Sequence, residues 1–332
     1  MSKVVAGAVW AVVAGAALGC SAHAATQTGD SASPAWPARP VRLIVPFPPG
    51  GATDVNARAI AKEVERVLGQ PLVIDNRAGA NSIIGCELLA KAAPDGYTLM
   101  HISIAFAINP SAYKKLPYDT GRDFTAITNP TVGQGSLLGV NASLPAKSVV
   151  ELIALAKRQQ LSFGSPGVGN VLHLIAAAFN ARAGISMLHV PYKGAAPALT
   201  ALLAGEIQVM VVPPVVAGPY LKAGRLRALG YSGAKRLAAL PDIPTIAEAG
   251  LPGFSIDTGW HGWFGPAQMP STIVAQVHAA IVRALQVPAL WEFLLSGGYE
   301  PTADPPAKFQ KDFQNDIKRW GELVRLAKIE PI

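Results

Sequence analysis

The chain has 332 residues, 50% of them hydrophobic and 15% charged, with 32 Gly, 28 Pro and two Cys. The length suits about two domains of roughly 100–200 residues. The composition excludes intrinsic disorder, which needs low hydrophobicity and dense charge. No run reaches the roughly 18 uninterrupted apolar residues of a spanning helix, which excludes a polytopic membrane protein. The formal charge of +7 is scattered in pairs such as Lys157-Arg158, Lys235-Arg236 and Lys318-Arg319, without interleaved aromatics. That pattern argues against a nucleic-acid partner, and a mild positive field suits a small anion.

The N-terminus begins Met1-Ser2-Lys3, is apolar from Val4 to Leu18, and ends in Ser21-Ala22-His23-Ala24-Ala25. A basic start, a short apolar stretch and an Ala-x-Ala site predict a secretory signal peptide over residues 1–24, cut after Ala24, and a periplasmic product. An uncleaved anchor is the alternative, for which the stretch is short. Ala17-Leu18-Gly19-Cys20 is loosely similar to a lipoprotein box, which would make Cys20 a lipidation site. Cleavage leaves 332 − 24 = 308 residues and one cysteine, Cys86, in the apolar setting Ile83-Ile84-Gly85-Cys86. The exported chain is thus expected to carry no internal disulfide and to keep Cys86 as inert core.

After a Ser/Pro/Ala-rich lead, the chain repeats strand, Gly-rich turn, helix. Val41–Val45 is a short apolar strand ended by Pro46-Phe47-Pro48-Pro49-Gly50-Gly51, and a helix is predicted from Asp54 to Leu68, closed by Gly69. Leu72–Ile74 and Tyr97–Ile102 read as buried strands flanking a helix at Ile84–Ala92. In the middle third, Leu161–Phe163 leads through Gly164–Gly169 to a helix over Asn170–Ala183. Met187–Val190 leads through Pro191-Tyr192-Lys193-Gly194 to one near Pro197–Leu203. Ile207–Val212 and Leu226–Tyr231 are continuous apolar runs of the kind covered on both faces. Two helical segments, within 266–286 and 308–326, finish the chain. The alternation predicts an α/β fold with parallel sheets.

Catalytic constellations are absent from the motifs. Phe163-Gly164-Ser165-Pro166-Gly167 has Phe where a nucleophile elbow needs its first Gly, and Gly133-Gln134-Gly135 meets Gly139 one residue late for a dinucleotide fingerprint. No Walker loop or zinc spacing occurs and the six His are dispersed, so neither cofactor nor metal is expected. What remains are Gly-rich turns opening onto helix N-termini, whose unpaired N–H groups and partial positive charge bind carboxylates or phosphates. Three turns are candidates: Pro49–Thr53 with Gly50 and Gly51, Ser165–Asn170, and Lys193–Ala195. Their convergence on one cleft would make an anion clamp. The alternative is plain turn chemistry with Thr53 or Asp54 as a helix cap and Asp54–Arg58 as an i,i+4 pair. Likewise, His173 faces a cleft or is satisfied within its helix, Lys193 meets an anion or solvent, and Trp260 and Trp263 line a ligand or fill core.

Several segments, in consistent order from about residue 37 onward, resemble the Bug family (TctC-like), the extracytoplasmic solute receptors of tripartite tricarboxylate transporters. They include Val45-Pro46-Phe47-Pro48-Pro49-Gly50-Gly51-Ala52-Thr53-Asp54, Asp75-Asn76-Arg77-Ala78-Gly79-Ala80, Pro94-Asp95-Gly96-Tyr97-Thr98-Leu99 and Leu116-Pro117-Tyr118-Asp119. Val190-Pro191-Tyr192-Lys193-Gly194, Gly224–Leu229 and Leu240–Phe254 continue the series. The resemblance implies a fold like that of type II periplasmic binding proteins, two βα lobes with a hinge and a cleft between them. Lobe 1 would comprise residues 25–130 and 251–332, and lobe 2 residues 131–250. It implies a non-enzymatic receptor that grips a ligand carboxylate between one loop per lobe and delivers it to the membrane subunits of such a transporter. By position the ligand-binding residues are Phe47, Pro49, Gly50, Gly51, Thr53 and Asp54 from the first loop, and Ser165, Gly167, Gly169 and Asn170 from the second; His173 and Lys193 join them from the reading of the turns. Ser103, Thr258 and Trp260 are further carry-overs.

The chain departs from the resemblance at Asn170, where Ser or Thr is common, at Leu172, and at Ala201 and Gln208, where relatives usually carry Asp. The second lobe should therefore be more apolar. This favours an organic or aromatic acid over an amino acid, whose ammonium group wants a carboxylate partner. A monomer is expected. Coupling to a periplasmic sensor instead of a transporter, or a secreted organic-acid enzyme on the same scaffold, are the alternatives; the enzyme lacks an evident nucleophile–base pair or metal cluster.

Overall fold

The computed structural model describes residues 36–326, 330 and 331; the leader, its cleavage site after Ala24 and Cys20 lie outside the described residues. The elements are β1 (Val41–Val45), α1 (Ala52–Leu68), β2 (Leu72–Asn76), α2 (Ile83–Ala90), β3 (Thr98–Ser103), α3 (Ala105–Ala112) and β4 (Phe124–Gly133). Then follow β5 (Leu137–Asn141), α4 (Val149–Arg158), β6 (Ser162–Ser165), α5 (Val171–Ala183), β7 (Leu188–Pro191), α6 (Ala195–Ala204), β8 (Val209–Val212), α7 (Pro214–Lys222) and β9 (Leu226–Tyr231). The chain ends with β10 (Gly259–Pro266), α8 (Ser271–Ala284), α9 (Pro288–Ser296), β11 (Tyr299–Pro301) and α10 (Pro306–Leu326).

Local sequence accounts for the helices that the periodicity predicts. Helix α1 buries Ala57, Ile60, Ala61 and Val64 on one face, and Gly69, at φ 68°, turns out of it while its N–H donates to Glu65 O. Gly184 and Gly205 end α5 and α6 in the same left-handed conformation. Helix α3 was not predicted because Pro110 stands inside it, and β4 was masked in the same way by Pro130.

Two sheets form. The first runs β11-β4-β10-β3-β1-β2 and the second β7-β6-β8-β5-β9. Neither is purely parallel, which corrects the expectation of parallel sheets. β10 lies antiparallel between β3 and β4, and β5 lies antiparallel between β8 and β9. Both sites are where the chain changes sheets: it leaves the first sheet at β4, enters the second at β5, and re-enters the first at β10. β4 passes into β5 through residues 134–136 alone, and the return from β9 to β10 runs beside it. The two connections are laced together: Ser136 N donates to Ser232 Oγ (2.9 Å), Ser232 N to Ser136 O (2.8 Å), and Thr258 N to Gly133 O (3.1 Å). These paired crossing segments join the two sheets.

The last helix is held to the first sheet by an aromatic cluster. Phe106 stacks on Phe313 at 5.1 Å and meets Phe124 and Phe264 edge-on, while Trp260 meets Phe309 at 5.2 Å and 89°. Cys86, on the buried face of α2, is fully enclosed, and burial pushes its thiol up to about 12. It is free and belongs to the core, as expected.

Candidate functional site

The N-termini of four helices, one set between strands of the first sheet and three between strands of the second, set the geometry of one buried cavity. Gly51, Ala52 and Thr53 open α1; Asn170, Val171 and Leu172 open α5; Ala195 opens α6; and Pro213 precedes α7. All of these line the same cavity. Phe47, Pro48, Ser103, Pro166, Thr258, His261 and Tyr299 complete it. It offers about 50 Å³ in which the centre of a water molecule fits, enough for roughly three to five waters or one carboxylate group. Among the described residues, no Asp, Glu, Lys or Arg lines it.

The capping state of these helices decides which can serve a ligand. Helix α1 has no side-chain cap, and neither do α6 and α7. Asp54, a possible cap in the sequence, reaches back instead: its Oδ2 accepts from Gly50 N at 2.9 Å, and its carboxylate takes Arg58 Nε at 3.0 Å and Asn76 Nδ2 at 2.9 Å. Burial pushes the Asp54 carboxyl up, and the bonds from Arg58, Gly50 and Asn76 outweigh it, leaving the group below the usual carboxylate range. Asn76 Nδ2 also donates to Phe47 O, so Asp54 and Asn76 together shape the turn that faces the cavity. On α5 the cap is present: Asn170 Oδ1 accepts from Leu172 N at 3.0 Å.

Polar side chains at the floor are unevenly satisfied. Thr258 is 7% exposed and its Oγ1 has no partner, an uncompensated cost unless something fills the cavity. His261 is 4% exposed, with Nε2 3.3 Å from Thr53 Oγ1 and Nδ1 3.2 Å from Asn56 Nδ2. Its ring stacks on Tyr299 at 4.9 Å and sits 5.1 Å from His101. Burial pushes His261 down to about 3, so it is neutral at pH 7.

Of the predicted residues, Phe47, Gly51, Thr53, Ser103, Asn170 and Thr258 meet at this cavity. Gly167 and Lys193 line a larger outer cavity of about 490 Å³ on the same measure, which shares Phe47, Pro48 and Pro166 with the inner one. Pro49, Gly50, Asp54, Ser165, Gly169 and His173 are not on the inner lining. His173 stacks on His189 at 3.9 Å and its Nδ1 accepts from Gly169 N, while Ser165 Oγ lies 2.6 Å from His189 Nε2. These groups shape the second loop from behind. Trp260 is 6% exposed in the aromatic cluster and donates to Asp316 Oδ2 at 2.8 Å; with Trp263, fully buried, it fills core. Ala201 and Gln208 are away from the inner lining as well; Gln208 Oε1 accepts from Ser162 N, so the loss of Asp there does not bear on the cavity.

Sequence reasoning missed His261 and Tyr299. Neither stands at a helix N-terminus, and strand pairing brings them to the floor, His261 opposite Ser103 on β3 and Tyr299 opposite Gly133 on β4. Helix α7 did have a signal, Pro214 at its first position after Pro213.

A family model described as the tripartite tricarboxylate transporter family receptor, TctC, matches residues 56–329. The chain belongs to the TctC family. It is 37% identical over 316 residues, 94% of this chain and 93% of the relative, to the UPF0065 protein in the tcbD-tcbE intergenic region of a Pseudomonas species. It is 35% identical to protein BugT of Bordetella pertussis, covering 87% of this chain and 90% of that one. Among solved structures it is similar to R. palustris Rpa4515 with adipate (TM-score 0.85, 34% identity, 90% of this chain and 100% of that one). It is also similar to MatC from Rhodopseudomonas palustris with bound malate (TM-score 0.78, 33% identity, 87% and 99%). This TctC chain is thus a periplasmic solute-binding protein of two α/β lobes, and its family and structural neighbours are receptors, not enzymes.

Proposed function

We propose that this TctC receptor captures a small carboxylate-bearing ligand in the interlobe cavity and delivers it to the membrane subunits of a tripartite tricarboxylate-type transporter. The observation that carries the reading is the convergence of helix N-termini on a cavity without a charged side chain. Free N–H groups and the positive ends of helix dipoles attract an anion there, and no fixed cation competes for the description. The relatives solved with adipate and malate support a carboxylate. Because no acidic side chain lines the cavity, an ammonium group would find no partner, so an organic or aromatic acid is favoured over an amino acid.

The inner cavity takes one carboxylate group, through Gly51, Thr53, Ser103, Asn170 and Thr258. The outer cavity with Gly167 and Lys193 takes the rest of a longer ligand. Lobe boundaries near residues 130 and 250 are supported by sheet membership, with the N-terminal third and the C-terminal segment forming the first lobe. Export through the leader at 1–24 places the mature monomer in the periplasm, where ligand contacts from both lobes select the closed form that a transporter distinguishes from the empty one.

A thermal-shift screen on residues 25–332, refolded to strip co-purified ligand, tests this. A carboxylate at 100 times its dissociation constant adds about 2.7 kcal/mol of stability. One di-, tri- or monocarboxylate raising Tm by several degrees, with its amide giving no rise, bears the reading out; a flat panel overturns it.

A further inference from the structure

His261 lies at the floor of the cavity with both ring nitrogens engaged, and its partners restrict which nitrogen carries hydrogen. A neutral imidazole has one N–H donor and one acceptor. Nδ1 faces Asn56 Nδ2 at 3.2 Å, an amide nitrogen that only donates, and Thr131 Oγ1 at 3.4 Å. With the Asn56 amide in this orientation, its Oδ1 buried without a partner, Nδ1 accepts and the hydrogen sits on Nε2, which faces Thr53 Oγ1 at 3.3 Å. The Thr53 oxygen is then engaged as an acceptor, and its own hydrogen is left for the cavity that Thr53 lines. The ring packs against Tyr299 at 4.9 Å and against the fully buried His101 at 5.1 Å.

We propose that His261 is a positioning residue that fixes the hydrogen-bond direction of the site: Asn56 donates to His261, His261 donates to Thr53, and Thr53 donates to the ligand. At Thr53 and at the uncapped N-terminus of α1 the cavity then presents donors. A carboxylate, with two acceptor oxygens, satisfies it, whereas the NH2 of a primary amide meets donors and is rejected. Freed from His261, the Thr53 hydroxyl can rotate and accept from that NH2. The inference rests on the carboxylate reading for its ligand but not for the tautomer.

Two measurements on residues 25–332 test it. In a chain with 15N-labelled histidine, two-bond proton–nitrogen correlation spectra report which ring nitrogen is protonated, and the His261 signal is identified by its loss in His261→Gln. Calorimetry then compares three probe pairs, nicotinate with nicotinamide, benzoate with benzamide, and adipate with adipamide, in wild type, His261→Gln and His261→Leu. A Gln side chain can accept from Asn56 and donate to Thr53, so His261→Gln should keep at least a tenfold preference for the acid. His261→Leu, checked for folding by its melting curve, should lose that preference to within about threefold. A hydrogen on Nδ1, or an undiminished preference in His261→Leu, overturns the proposal. Should His261→Leu fail to fold, a preference lost in His261→Gln overturns it equally. If none of the three acids binds wild type, the carboxylate reading suffers, and the tautomer alone decides this proposal: Nε2–H supports it and Nδ1–H overturns it.

Discussion

Asn170 bridges the cleft: its Oδ1 accepts from Leu172 N on its own helix at 3.0 Å, and its Nδ2 donates to Asn81 Oδ1 on the opposite lobe at 3.3 Å. Asn81 is held to receive it. Asn109 Nδ2 donates to Asn81 O at 2.9 Å and to Ser82 Oγ, and Asn81 Nδ2 donates back to Asn109 Oδ1. The receiving turn is strained, with Ala80, Asn81 and Ser82 at φ 44°, 47° and 83°. Asn170→Ser keeps a helix cap but cannot reach Asn81, whereas Asn170→Ala loses both. We expect Asn170→Ala to cost about 1 kcal/mol in denaturant unfolding and Asn170→Ser a few tenths. Small-angle scattering should show a larger radius of gyration for both unliganded variants than for wild type; equal radii would mean the bond does not hold the lobes together.

Closure also requires Gly194. At φ 127° it adopts a conformation that L side chains rarely take, and a Cβ there would stand 2.6 Å from Pro48 Cγ on the other lobe. Gly194→Ala should therefore lower carboxylate affinity at least tenfold. Adding Pro48→Ala removes the clash and should recover part of that loss. An identical loss in both backgrounds, read by titration calorimetry, would assign the effect to local backbone strain instead.

Thr258 offers the opposite experiment, a substitution that helps the empty protein. Its hydroxyl is buried without a partner, and such a group costs about 1–3 kcal/mol. Thr258→Val keeps the shape and deletes the orphan. The unliganded variant should melt at the same temperature as wild type or above it, while the rise produced by a bound carboxylate shrinks. A variant that melts lower when empty would show that the hydroxyl is satisfied.

Histidines make the fold sensitive to mild acid. Burial, and secondarily the neighbouring His189, push His173 from 6.5 down to about 4, and burial pushes His261 down to about 3. In the unfolded chain both protonate near 6.5, so between these values the unfolded state holds more protons and stability falls as pH falls. The contribution is complete above about pH 6.5 and is lost progressively toward 4 and then 3; for His173 it is on the order of 3 kcal/mol. Asp54 and Asp75, with lowered carboxyls, lose their contribution only below the ordinary value of 3.8, and Asp316, raised by burial, acts in the opposite sense, so from pH 6.5 to 4.5 a fall in stability is assigned to the histidines. Urea midpoints should drop across that window and drop less in His173→Gln; a flat profile would contradict the burial of these rings.

What the sequence made legible was local. Gly69, Gly184 and Gly205 mark helix ends because each must turn left-handed, and Phe47–Thr53 announces a helix N-terminus by composition alone. Asn170 was readable as a polar group at such a terminus, but not that its amide is spent on Leu172 and Asn81, since Asn81 is 89 residues away. His261 and Tyr299 reach the floor by strand register, and register is a tertiary fact. The antiparallel strands were hidden because apolar runs such as Leu226–Tyr231 read the same in either direction. Trp260 could not be told from a ligand contact until Asp316 and Phe309, far along the chain, were seen around it.

Cys86 has a practical consequence. In a chain of residues 25–332 it is the only thiol, and it is shut in the core and protonated at neutral pH, so reagents that attack exposed thiolates will pass it by. A single cysteine introduced at exposed Lys193, on the rim of the outer cavity, would take a polarity-sensitive dye at one position only. Such a labelled receptor would turn each closure of the lobes into a change of fluorescence, a sensor needing no removal of native sulfur.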